Sequence, residues 1–210
     1  MRGLGLAVGI LTGVALVAYP MFVYWAFTHW EPRWASLTLL GVLTPVAVGR
    51  LRNLARDTDR SAIKTMAIVP VVACAAFGLG AVLDSAGFVL AAPVAINAVL
   101  LAAFGSTLRR GSRPMIERFA RLTVTDLGDA EQRWCRGWTW AWSLFFMLNG
   151  ATAAVLAVAA PLSWWTAYNG LIAYILMGLM FAAEYVPRKL RFGRWGEHLL
   201  DRILARLFRR

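Results

Sequence analysis

RRGSRPMIERFARLTVTDLGDAEQRWCRGW, residues 109–138, is the longest polar interval of the chain, with apolar runs of membrane-spanning length on both sides. It holds seven arginines (Arg109, Arg110, Arg113, Arg118, Arg121, Arg133 and Arg136) against four acids (Glu117, Asp126, Asp129 and Glu131). Ser112 ahead of Arg113 and Pro114 reads as a helix start, because proline is tolerated in the first turn. Over 113–122, Met115, Ile116, Phe119 and Leu122 would form one apolar face lying at the membrane surface. Arg113, Glu117, Arg118 and Arg121 would point away from it. The pattern breaks over 123–128. Asp129 and Glu131 then stand where a second helix would begin, favoured by its positive end, and that helix would run on into the next apolar run.

Outward from this loop, 60% of the 210 residues are hydrophobic and only 16% are charged, against about 45–50% and 25% in soluble domains. Such a chain lacks the polar surface to cover a globule, so the bilayer is its expected solvent. A net charge of +11 could suggest nucleic acid, but the basic residues flank apolar runs instead of gathering on a folded face. No nucleic-acid partner is expected. Cys74 and Cys135 are too few for a disulfide framework.

The apolar runs predict an all-α, polytopic helix bundle with six spans, at about 4–27, 34–48, 63–83, 87–107, 138–160 and 164–186. The first is too long for a signal-peptide core and has no small-residue cleavage site. Its Gly5, Gly9 and Gly13 share one face and permit close backbone approach, either within the monomer or at a homodimer face. The second, at 15 residues, is short of the ~20 that span comfortably, and Pro45 could bend it. Alternating sides resolves its status. With six spans, 21 of the 22 lysines and arginines fall on one side: Arg2, five over 50–64, seven in the central loop and eight in the tail. Only Arg33 is left on the other. This asymmetry predicts six spans with both termini cytoplasmic. The tail, 188–210, alternates apolar and basic residues at helical spacing, as a helix lying on anionic lipid does.

Polar groups inside hydrocarbon are costly and draw functional attention. Asn97 and Asn149 are the midpoints of the fourth and fifth spans, so they should lie at one depth and hydrogen-bond. Asn169 falls in the outer part of the sixth span. Glu184 lies near its inner end, where an ion pair with Arg188 or Lys189 at the interface is expected. Chemistry finds little purchase elsewhere. Asp57 and Asp59 are the one close carboxylate pair on the basic side, without the second acidic cluster that membrane prenyl or alcohol phosphate transferases use. His29 and His198 fall on opposite sides and cannot share a metal. No phosphate loop, nucleophile elbow or Cys–His pair is present, so no metal, cofactor or catalytic residue is expected.

From about 61 to 191 the order of features resembles the bacterial septation protein A family of inner-membrane proteins. The resemblance is carried by Lys64 and Met66, Phe77–Gly78, the run Arg113 to Arg118, Trp134, Trp142 to Phe146, and Trp164–Trp165. That family's outer-turn lysine pattern is replaced here by Leu90–Ala91–Ala92. A closer similarity is to a set of bacterial inner-membrane proteins often encoded with fatty-acid-like synthases that make aryl-polyene pigments. It covers Arg113 to Ala120, Trp142 to Gly150 and Tyr168 to Glu184. This resemblance implies an accessory role near lipid or polyene biosynthesis and supplies no active site. Three functions follow as expectations: an accessory or scaffold protein whose basic face meets anionic lipid and a biosynthetic protein partner; a transporter or flippase of a lipid or pigment precursor, lined by Asn97, Asn149 and Asn169; and a membrane acyl- or prenyl-modifying enzyme using Asp57 and Asp59.

Overall fold

The computed structural model describes residues 24–26, 28–56, 68–122, 124 and 126–193, and every element among them is helical. We label the helices α1 (Pro32–Arg56), α2 (Ile68–Val82), α3 (Ala86–Ser106), α4 (Met115–Ala120), α5 (Asp129–Ala159) and α6 (Leu162–Phe192). Three of them, α3, α5 and α6, are long and apolar enough to cross a membrane. The chain is a membrane protein. Gly5, Gly9, Gly13, Asp57, Asp59, His198 and most of the expected first span and tail lie outside the described residues, as do the first residues of the 63–83 run.

Helix α1 has 25 residues and passes through Pro45 without ending. The apolar run that looked short is therefore part of a longer helix. It continues because Leu51, Arg52, Leu54, Ala55 and Arg56 are good helix formers, so propensity carries the helix past the apolar limit. Helices α5 and α6 are 31 residues each. At 1.5 Å per residue they reach about 46 Å, well beyond a hydrocarbon layer of about 30 Å. Their polar ends therefore project beyond the apolar zone. The last turn of α6 carries Lys189 and Arg191 and stops at Gly193, whose left-handed backbone (φ 63°) ends the helix.

Helix α5 packs chiefly on α3, and α1 chiefly on α2, with α2 and α3 joining the two pairs. One core cluster gathers Phe104, Met115, Ile116, Leu127, Cys135, Trp142 and Phe146. A second gathers Leu39, Phe77, Val89, Ala92 and Trp165. Outside these cores the long helices present Leu144, Met147, Leu148, Val155, Leu179 and Phe181 outward, and Val158 is 90% exposed. Apolar surface on this scale is unfavourable in water and suits lipid.

Contacts between helix ends fix which ends lie together. The Arg33 backbone N–H donates to Asp84 Oδ1 at 3.0 Å and its Nε donates to the Ala81 carbonyl at 3.2 Å, so the start of α1 meets the end of α2. Asp84 itself turns the chain with a left-handed backbone (φ 48°) before α3 begins. At the opposite end Arg136 donates to the Leu108 carbonyl at 2.6 Å, and Arg191 stacks 5.8 Å over the Trp134 ring. The start of α5, the end of α3 and the end of α6 therefore share one end of the bundle. It is the basic end.

Candidate functional site: a buried amide chain and a capped basic platform

In the apolar interior, Asn149 Nδ2 donates to Asn97 Oδ1 at 3.1 Å, the contact expected from their matching depth. The chain of bonds extends further than the two amides. Tyr168 Oη donates to Asn149 Oδ1 at 2.9 Å, and Asn97 Nδ2 donates to the Pro93 carbonyl at 2.8 Å. Hydroxyl, amide, amide and carbonyl thus point one way across three helices. Each carbonyl oxygen accepts and each amide donates, which is how polar groups are tolerated where no water competes. Gly150 sits beside this junction. A Cβ there would lie 2.9 Å from Asn97 Cβ, so the glycine is what allows α3 and α5 to approach closely enough for the amides to bond.

Asn169 does not join the pair. Its Nδ2 donates to the Trp165 carbonyl at 3.0 Å, within its own helix. Its neighbour Tyr168, the first residue of the π-helical turn Tyr168–Ile172, reaches Asn149 instead. Sequence reading picked out the neighbouring asparagine as the polar residue. The signal that would have found Tyr168 is its hydroxyl, which must find a partner when the ring is drawn inward.

At the basic end, the central loop is built around α4. This six-residue helix does not lie on lipid with Glu117 outward, as its sequence suggested. Met115 and Ile116 are buried in the core cluster, Glu117 is only 4% exposed, and Leu122 is the exposed member. The reason is in the backbone. Pro114 precedes the first turn and supplies no capping side chain, so the free N–H groups need other acceptors. Met115 N–H donates to Thr107 Oγ1 at 2.9 Å and Ile116 N–H donates to Thr139 Oγ1 at 3.2 Å. Two hydroxyls, one from the end of α3 and one from α5, thus pull the start of α4 inward. Glu117 follows and is neutralised by Arg121 Nε at 2.8 Å.

The seven arginines of the loop divide accordingly. Arg121 pairs with Glu117, Arg136 donates to the Leu108 carbonyl, and Arg118 Nε donates to the Arg113 carbonyl at 3.0 Å. These three hold the loop together. Arg109, Arg110, Arg113 and Arg133 are exposed. Helix α5 begins at Asp129, where the Gly128 N–H donates to Glu131 Oε2 at 2.9 Å, and Gln132 Nε2 donates to the Leu127 carbonyl at 2.9 Å. The acidic start expected from the sequence is therefore a backbone cap.

Glu184 lies at this end of α6 and its Oε1 is 3.3 Å from Arg188 Nε. The expected ion pair is present, but the carboxylate is turned inward, at 7% exposure, and the arginine covers it. Cys135 is buried at 1% and Cys74 is half-buried, both as free thiols. Among the described residues no group of three or more His, Cys, Asp and Glu side chains is placed to hold a metal ion. Comparisons with family models, curated proteins and solved structures give no match for this chain.

Proposed function

We propose that the protein is an accessory component of a bacterial inner membrane, a six-span bundle with both termini cytoplasmic that presents a preformed basic platform to a soluble partner. The observation that carries this reading is the construction of the 107–137 loop. Thr107, Thr139, Arg136 and the Glu117–Arg121 pair fix its backbone, and Arg109, Arg110, Arg113 and Arg133 remain outward. A rigid cationic surface loses little entropy when an acidic partner docks. Helix α6 ends in Arg188, Lys189 and Arg191, which adds charge at the same end. The sequence resemblance favours lipid or aryl-polyene biosynthesis as the setting, and an acyl-chain or envelope enzyme as the partner.

Crosslinking in native membranes, followed by mass spectrometry, tests this. The reading expects enzymes of acyl-chain or envelope synthesis on peptides of the 109–137 loop. It expects their loss in an Arg109→Gln/Arg110→Gln/Arg113→Gln variant that still inserts. Recovery of the same enzymes from that variant would refute the platform.

A second reading, transport of a lipid or pigment precursor, draws on one observation: the amide chain spans three helices at a π-helical turn, a feature frequent at functional sites. It expects Asn149→Leu to fold and yet leave lipid product on the cytoplasmic side. Unchanged export in that variant leaves the amides a packing role.

A further inference from the structure

On the polar end of α5, with Arg191 of α6 at its edge, lies an open groove of about 410 Å³. Arg133 and Arg191 line it with Trp134, Trp138, Gly137 and Ala141. Among the described residues no carboxylate lines it. The guanidinium of Arg191 rests 5.8 Å from the Trp134 ring centre, and Phe192 meets the same ring edge-on, 6.1 Å between centroids. Arg191 is thereby held over the groove. Its α5 lining runs from Ala130 and Arg133, in the first turns of that helix, to Gly137, Trp138 and Ala141, where the helix becomes apolar.

We infer that this groove is a binding site for the phosphodiester headgroup of an anionic phospholipid, with the acyl chain leaving along Gly137 and Ala141 into the bilayer. Two guanidiniums can grip one phosphate by paired N–H···O bonds, the geometry in which arginine exceeds lysine. Tryptophans at a membrane edge place their rings at headgroup depth. Basic pockets between membrane helices are the usual receptors for such lipids. A soluble anion would meet the same arginines but has no use for an apolar lining that runs along a candidate span. The inference rests on the membrane location of α5 and α6; it shares Arg133 with the proposed platform, but Arg109, Arg110 and Arg113 take no part in it, so loss of lipid retention and loss of a protein partner are read on different variants.

The test is native mass spectrometry of the full chain, released from detergent with increasing dioleoyl phosphatidylglycerol and, separately, dioleoyl phosphatidylcholine. The wild-type chain is expected to retain one phosphatidylglycerol in preference to phosphatidylcholine. Arg133→Gln/Arg191→Gln should weaken that retention about tenfold, two charge-assisted contacts being removed. Gly137→Leu supplies a second route, because a Cβ at Gly137 meets nothing within 4 Å and the side chain would fill the groove without disturbing the fold. It should weaken retention with both arginines in place. Arg109→Gln/Arg110→Gln, which removes the same charge elsewhere on this end, should leave retention unchanged. Equal loss in that control would reduce the effect to net charge and overturn the site. Retention unaffected by Gly137→Leu, or displaced by inorganic phosphate alone, would also overturn it.

Discussion

Asn97 and Asn149 were legible as a pair because each is the midpoint of an apolar run, and depth alone brings them level. What depth could not give was Tyr168, which opens a π-helical turn, or Gly150, whose role exists only because Asn97 faces it at 2.9 Å from a would-be Cβ. Gly150→Ala is therefore expected to destabilise the bundle by about 1–3 kcal/mol, as overpacking does, more than Asn149→Leu. A double-mutant cycle on Asn97 and Asn149 in detergent should give a coupling of about 0.6 kcal/mol, typical of polar contacts between membrane helices. Zero coupling would mean that the bond is not formed. At Glu184 the two halves of the ion pair differ. Arg188 is part-exposed and can reach water alone, whereas the carboxylate is buried. Arg188→Met should therefore lower thermal stability more than Glu184→Gln, since it strands a buried charge. Equal effects would place the carboxylate in contact with water.

At the scale of elements, the bounds of α3 and α5 followed from apolar length and from the acids at 129 and 131, whereas α6 continues to Phe192, six residues past the apolar run. The orientation of α4 did not. Six residues make fewer than two turns, too few for periodicity to define a face. Its caps come from Thr107 and Thr139, eight and 23 residues away from the N–H groups they accept. No local pattern encodes a bond of that reach. Thr139→Val keeps the shape of the side chain and removes the acceptor for Ile116. Leaving that N–H buried and unpaired should cost about 1–3 kcal/mol. Amide exchange over 112–122 should rise, while exchange in α3 stays as in the parent. An unchanged exchange pattern would show that the hydroxyl does not anchor the loop.

For the whole molecule, one end of the bundle holds the arginines of the 109–136 interval together with Arg188, Lys189 and Arg191, and the other holds Arg33. The sequence made this division visible because charge flanks each apolar run. It left the lateral arrangement of helices unspecified, since side-by-side packing depends on shape rather than hydropathy. The central claim is that the basic end faces the cytoplasm while α5 and α6 cross the bilayer. Single cysteines at Arg110→Cys and Ser163→Cys, both exposed positions at opposite ends, test it in a Cys74→Ala background, with Cys135 buried. A membrane-impermeant maleimide should label position 163 in intact spheroplasts and position 110 only in inverted vesicles. Labelling of both from one side, or of position 110 in spheroplasts, would contradict the account.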